Sequence, residues 1–172
     1  EKEYVLVTAH RSENVDDENN LKKIFLSLEK INKKFKKRII YPMHPRTLSK
    51  INNVKIPKSI EIIKPLGFFD FTKLEKNAFC LITDSGTVPE ESLYFKVPSV
   101  TIRETTERPE FVEAGFNIIS GLELNDILRS VSIITSNKIK GEWDPTFGNG
   151  QTSTKVLNII TGKFNRMKYL EW

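Results

Sequence analysis

Short apolar runs alternate along the chain with longer segments whose apolar positions recur every three or four residues, and the alternation begins almost at once. Tyr4-Val5-Leu6-Val7-Thr8-Ala9 predicts a buried strand. After a polar loop from His10 to Asn19, the residues Leu21, Ile24, Phe25, Leu28, Ile31 and Phe35 share one face of a helix, with Asp16 or Asp17 as its cap. A second strand is predicted over 38–43, a short helix over 46–51 and a third strand over 60–63, which stops at Pro65-Leu66-Gly67. Asp70 is expected to cap a helix that runs through Asn77. The rhythm continues with a strand over 79–83, a helix to Phe95, a strand over 99–102, a helix over 110–114, a strand over 116–120 and a helix over 126–134. A turn-rich segment, 143–150, leads to a last helix from about 152.

Strands alternating with helices at this spacing predict a right-handed, three-layer α/β domain built on a Rossmann-like, mostly parallel sheet. A chain of 172 residues fills one such domain over 1–172 and is too short for two. The long exit loop implies that the segment from about 152 to 172 crosses to pack elsewhere, and a strand so close to the first residue implies a domain cut from a longer protein.

Composition narrows the class without naming a chemistry. With 38% hydrophobic and 28% charged residues, no apolar run long enough to span a bilayer and no leader pattern, a cytoplasmic, water-soluble protein without membrane association is expected. The single cysteine, Cys80, lies inside an apolar strand and reads as a small core residue. A net charge of +5 raises the possibility of a polyanion partner, and Lys33-Lys34-Phe35-Lys36-Lys37-Arg38 is the densest basic run. That run falls where a helix ends, where cations complement the helix dipole, so a solvated turn is the preferred reading. Neither zinc-ligand spacing nor aromatic-basic interleaving occurs, so no metal and no nucleic acid are expected.

The candidate chemistry sits in the loops after the strands. Thr83-Asp84-Ser85-Gly86-Thr87-Val88-Pro89-Glu90-Glu91 is a strand-to-helix turn of small residues, and unpaired N–H groups at a helix start suit a phosphate. The same residues fit a capping box, with Thr87 as cap and Glu90 reaching back, which leaves Glu91 free to turn inward. Both histidines, His10 and His44, follow strands, and Arg11 beside His10 adds a cation that can grip an anion with two donors. Glu13 and Asn14 are read as residues that order this loop. Arg108, next to Pro109 at a helix start, either reaches the ligand or forms a surface ion pair with Glu104 or Glu107. In parallel sheets ligands bind at the carboxyl ends of strands, where all these groups are expected to converge.

The ordered set Thr8-Ala9-His10-Arg11-Ser12-Glu13-Asn14, Tyr41-Pro42-Met43-His44-Pro45, Thr83-Asp84-Ser85-Gly86, Pro89-Glu90-Glu91 and Thr105-Thr106-Glu107-Arg108-Pro109-Glu110 resembles the non-hydrolysing UDP-N-acetylglucosamine 2-epimerases. The late Asp144-Pro145-Thr146-Phe147-Gly148-Asn149-Gly150 is similar to a further segment of that family. The resemblance covers only the family's carboxyl-terminal half. It implies half of a GT-B-type two-domain fold, with the cleft lying between this nucleotide-binding half and an amino-terminal catalytic half absent from this chain. It implies an isomerase that eliminates UDP to a 2-acetamidoglucal and adds it back with C2 inverted, interconverting UDP-GlcNAc and UDP-ManNAc without a cofactor. The full-length family member would be a homodimer that serves cell-envelope polysaccharide synthesis, and the isolated chain would be inactive.

Carried over by position, His10 would contact the diphosphate and assist its departure. Ser85, Gly86 and Thr87 would hold phosphate oxygens, Glu91 the ribose and Arg108 the nucleotide or sugar. Phe71 would lie near the uracil, and Arg11 and His44 would match contacts to a second, regulatory UDP-sugar. Thr87 stands where the family usually has glycine, Pro89 where it often has glutamine, and Leu66 replaces a glutamine. These departures resemble the branch that epimerises 6-deoxy UDP-amino sugars on the way to UDP-N-acetylfucosamine. The donor-binding half of a GT-B glycosyltransferase is a further alternative.

Overall fold

In the computed structural model, which describes residues 1–51, 54–136 and 147–162, the sheet has six parallel strands. They are β1 (Tyr4–Thr8), β2 (Arg38–Pro42), β3 (Ile60–Ile63), β4 (Cys80–Thr83), β5 (Ser99–Thr101) and β6 (Asn117–Ile119). Their spatial order is β3-β2-β1-β4-β5-β6, so the chain works outward from β1 in one direction and then returns to start again at β4. Between β1 and β4 the winding reverses, the chain leading from β1 to α2 (Glu18–Phe35) on one face and from β4 to α5 (Val88–Phe95) on the other, which is where sheets of this kind offer a crevice. Leu6 pairs with Leu81 and Thr8 with Thr83, which brings the ends of both strands level at that crevice.

Side-chain alternation covers both faces of the sheet. Val5 and Val7 of β1 join Ile39, Tyr41 and Ile82 in the larger core cluster, against Leu21, Ile24, Phe25, Leu28 and Ile31 of α2 (Glu18–Phe35) and Ile127, Val131 and Ile134 of α7 (Leu124–Ser136). Leu6, Ile40 and Leu81 point the other way and join Ala78, Val88 and Val97. On that second face lie α4 (Phe68–Asn77) and α5 (Val88–Phe95), with Phe71 and Leu74 of α4 packed against the cluster. Cys80 is fully buried, and burial pushes its thiol up to about 12, as befits a core residue.

Several ends move relative to the sequence reading. The segment between β1 and α2 is not all loop: Ser12–Val15 forms a single turn, α1, which buries Val15 and Asn14. Asp17 is the cap of α2, its carboxylate accepting from the Asn19 N–H at 2.7 Å. Gly67, not Asp70, stands at the cap of α4, and Asp70 lies in the first turn, where its charge still favours the dipole. The remaining helices are α3 (Pro45–Lys50), α6 (Pro109–Glu113) and α8 (Thr152–Ile160). The unit Glu1–Gly141 holds the sheet, and α8 belongs to a second unit, Glu142–Trp172. The first half of the 143–150 turn segment, which includes Asp144-Pro145-Thr146, lies outside the described residues.

Candidate functional site

The crevice is fastened by one carboxylate. Asp84, the first residue after β4, is fully buried, and its oxygens accept from the backbone N–H groups of His10 and Arg11 at 2.9 Å each and from Asn14 Nδ2 at 3.1 Å. Arg11 Nε returns a bond to the Asp84 carbonyl at 3.1 Å, and Asn14 Nδ2 also donates to the Ile102 carbonyl. One buried anion therefore ties the loop after β1 to the loop after β4, with Asn14 reaching on to the end of β5. The loop-ordering role expected of Asn14 is thus realised; Glu13 ion-pairs with Arg103 at 3.5 Å. From below, the Tyr41 hydroxyl and Thr47 Oγ1 both donate to the Ala9 carbonyl, at 2.7 and 2.9 Å.

This fastening places His10 on the rim. Its ring Nδ1 lies 3.6 Å from Asp84 Oδ1, its side chain is 42% exposed, and its ring centroid is 5.9 Å from that of His44. A ring that is half in contact with a buried carboxylate and half open to solvent can present its other nitrogen to an incoming anion. His44 has a structural task as well: it caps α3, Nδ1 accepting from the Arg46 N–H at 3.2 Å.

The turn 85–87 is held from within. Ser85 N–H donates to Thr83 Oγ1 at 2.9 Å, Thr87 N–H donates to Ser85 Oγ at 3.4 Å, and the two hydroxyls of Ser85 and Thr87 lie 3.2 Å apart. The N–H groups of Gly86 and Val88 make no hydrogen bond to the described residues and stand at the start of α5. A helix start with free N–H groups and two hydroxyls beside it has the donors that a phosphate needs. A side chain at Gly86 would meet Glu107 Oε1 at 3.7 Å and Arg11 Nη2 at 3.8 Å, so the missing Cβ leaves room over the turn.

The expected capping box does not form. Thr87 is the cap residue of α5 by position, but its side chain makes no cap bond, because its backbone is already helical at φ −91°, ψ −29°. Glu90 instead pairs with Arg108 Nη2 at 3.1 Å. Arg108 also lies 3.7 Å from Glu110, so its ion pairs differ from the expected ones with Glu104 or Glu107. Glu107 is taken by Arg103 at 2.6 Å and by Arg11 at 3.4 Å. Arg11, Arg103 and Arg108 are thus each balanced by a glutamate, and Arg11 and Glu107 are the pair beside the turn, within 4 Å of a Cβ at Gly86. Glu91 does turn inward, though not because Glu90 caps: it faces Glu75 of α4. Burial raises the Glu91 carboxyl above its ordinary value, against the hydrogen bond from Glu75, which lowers it.

Three residues escaped the sequence reading as functional parts. Asp84 was legible in the Thr-Asp-Ser-Gly turn, since an acid directly after a buried strand needs donors, but its partners lie 70 to 74 positions away. Glu107 entered only as a candidate partner of Arg108 and within the Thr105 to Glu110 motif, and Glu75 carried no local signal. Phe71, half-buried, packs into the apolar layer under α4. The basic run proves to be an ordinary surface: Lys33 pairs with Glu29, Lys37 with Glu3 and Arg38 with Glu61, and Lys34 donates to Ser132. Among the described residues no cluster of His, Cys, Asp and Glu could hold a metal ion, and no helix is long and apolar enough to cross a membrane.

Fold and site together define a Rossmann-type domain whose switch point presents the free N–H groups of Gly86 and Val88, two hydroxyls and Arg11. The family model described as UDP-N-acetylglucosamine 2-epimerase matches residues 1–161, and the chain belongs to that family. It is 41% identical over 167 residues to a UDP-N-acetylglucosamine 2-epimerase of Methanococcus maripaludis, covering 93% of this chain and 45% of that protein. The crystal structure of Methanocaldococcus jannaschii UDP-GlcNAc 2-epimerase in complex with UDP-GlcNAc and UDP superposes with a TM-score of 0.85 at 40% identity, over 94% of this chain and 46% of that one. A relative from Pseudomonas aeruginosa, 31% identical over 91% of this chain and 44% of its own length, is a UDP-2,3-diacetamido-2,3-dideoxy-D-glucuronate 2-epimerase. The chain therefore spans about half the length of the relatives it matches.

Proposed function

We propose that this chain is the UDP-binding, carboxyl-terminal half of a UDP-N-acetylglucosamine 2-epimerase with a GT-B-type two-domain fold. The observation that carries the reading is the Asp84 clasp, which sets His10 and Arg11 beside the Ser85-Gly86-Thr87 turn at the point where the sheet reverses. In the proposed reaction a base removes the C2 proton while the bond from C1 to the diphosphate oxygen breaks, giving UDP and a 2-acetamidoglucal. UDP then adds back at C1, and C2 takes a proton on its other face, so UDP-GlcNAc and UDP-ManNAc interconvert with no net redox change.

Within this half the residues act on the departing diphosphate. The N–H groups of Gly86 and Val88 and the hydroxyls of Ser85 and Thr87 take phosphate oxygens, and His10 contacts the diphosphate and stabilises the charge that grows on it. Arg108 leaves Glu90 to bind the nucleotide or sugar, Glu91 accepts from the ribose hydroxyls and Phe71 borders the uracil. Arg11 and His44 form a second, regulatory contact. The carboxylates that move the C2 proton come from the amino-terminal half, the segment from about 152 crosses to pack elsewhere, and the full-length protein works as a cytoplasmic homodimer in cell-envelope polysaccharide synthesis.

A related reading concerns the sugar. The Pseudomonas relative is named for a different UDP-sugar, and the Ser85-Gly86-Thr87 turn resembles the branch that epimerises 6-deoxy UDP-amino sugars, so a 6-deoxy UDP-amino sugar is the alternative substrate. Calorimetry and isotope exchange test the proposal: the isolated chain should bind UDP without turning over UDP-GlcNAc, and the full-length protein should incorporate solvent deuterium at C2 with no acceptor present. Turnover by the isolated chain, or absence of UDP binding, overturns it.

A further inference from the structure

Glu75 is a carboxylic acid with no exposed surface, inside α4, and no N–H or O–H group of the described residues donates to either of its oxygens. What faces it is another carboxyl, that of Glu91 on α5. Two carboxylates buried against each other without a donor repel, whereas one proton between them turns the contact into a short, charge-assisted hydrogen bond. Among the described residues no cation neutralises the pair. On α5 the adjacent Glu90 adds a negative charge and is itself held by Arg108 at the start of α6, beside Glu110. The charged residues of α4 besides Glu75, namely Asp70, Lys73 and Lys76, are exposed. From the sheet, β1 contributes Tyr4, whose hydroxyl donates to the Leu74 carbonyl of α4 at 2.7 Å and is raised by burial, β4 contributes the buried Cys80, and β5, Ser99–Thr101, contributes no titratable group.

We propose that Glu75 is a positioning residue that carries a proton at neutral pH and donates it to the Glu91 carboxylate, fixing Glu91 as the acceptor for the ribose diol. The proposal rests on the reading of Glu91 as the ribose contact. Burial, followed by the charge of Glu91 and the hydrogen bond to it, pushes Glu75 up to about 9, so the pair holds a proton at neutral pH, and the shared hydrogen bond, which raises Glu75 and lowers Glu91, marks Glu75 as its donor. A carboxylate can accept from both ribose hydroxyls at once only while it is ionised and held in one rotamer, and Glu75 supplies both conditions. Above pH about 9 the proton leaves, the pair becomes a double anion, and Glu91 is pushed from its place.

Two variants separate positioning from packing. Glu75→Gln keeps a donor that cannot titrate, and Glu75→Leu keeps bulk without a donor. With UDP as the probe in calorimetry at pH 7, Glu75→Gln should stay within about twofold of the parent and Glu75→Leu should lose roughly tenfold, the worth of one charge-assisted hydrogen bond. Across pH 7 to 10 the parent should lose affinity relative to Glu75→Gln, in which the titration of UDP itself is the same. Infrared spectra of the ligand-free chain should show a protonated carboxyl carbonyl band that is absent in Glu75→Gln. A missing band overturns the proton on Glu75. Equal losses in both variants, or superimposable pH profiles for the parent and Glu75→Gln, overturn the positioning role. If the band is present while the parent binds no UDP, the shared proton stands and the assignment of the site to UDP fails.

Discussion

Replacing Asp84 with alanine removes the clasp on which the site depends, and its cost can be worked from the contacts. Asp84 is fully buried and accepts from three groups: two backbone N–H groups, of His10 and Arg11, and the Asn14 amide. A hydrogen bond to a charged acceptor contributes about 1.5–3 kcal/mol, and a buried donor left unpaired costs about 1–3 kcal/mol. The three losses are not equal. The His10 and Arg11 N–H groups lie near the rim, where water can reach them after truncation, while Asn14 is buried and keeps its bond to the Ile102 carbonyl. Loss of the buried anion also relieves its own desolvation, which offsets part of the sum. The net expectation is about 3–5 kcal/mol for Asp84→Ala, and about 1–3 kcal/mol for Asp84→Asn, which keeps one acceptor oxygen but turns a second donor toward two others. Urea unfolding followed by circular dichroism gives these differences as shifts of midpoint at constant slope, and thermal scans should show a fall of about 6–20 °C for the alanine variant. An Asp84→Ala chain within about 1 kcal/mol of the parent would refute the argument that this carboxylate joins the two loops.

Other consequences concern the site itself. Arg108→Ala should leave the unfolding midpoint nearly unchanged, since its ion pairs are half exposed, and should remove most UDP binding; unchanged affinity by calorimetry refutes its assignment. Gly86→Ala should fold normally, because its Cβ would meet its nearest neighbours at 3.7 Å and 3.8 Å. It should nonetheless weaken UDP binding by crowding the turn, and a parent-like titration counts against phosphate seating there. Stability should depend on pH through Glu75. Between its unfolded value of 4.5 and its folded value of about 9 the folded chain holds a proton that the unfolded chain has lost, so this term is fully present below 4.5 and fades as pH rises toward 9. Thermal midpoints measured from pH 6 to 9 should therefore fall more steeply in the parent than in Glu75→Gln, and parallel curves contradict the sign.

Much of the fold was legible because its signals are local. The continuous apolar runs of the β1 and β2 segments, the one-sided apolar stripe from Leu21 to Phe35 and the Pro-Gly break after Ile63 each act within a few residues, and the elements formed there with ends shifted by a residue or so. What failed was also local, in an instructive way. The sequence Thr87-Val88-Pro89-Glu90 satisfies a capping box, yet the backbone at Thr87 is helical and Arg108, brought in by α6, competes for Glu90 with a full charge. Propensity proposes a cap, and a cation from another part of the fold outbids it.

The chain's own order of residues determined a parallel α/β domain and a small-residue turn at a helix start, because hydrophobic period and turn chemistry are written within one element. Only the tertiary structure decided what the turn is attached to. The reversal of strand order between β1 and β4 brings His10 and Arg11 to Asp84, and the packing of α4 on α5 sets Glu75 against Glu91. Buried carboxylates take their character from partners far away in sequence, since the low dielectric that makes them costly also makes each distant donor or proton decisive.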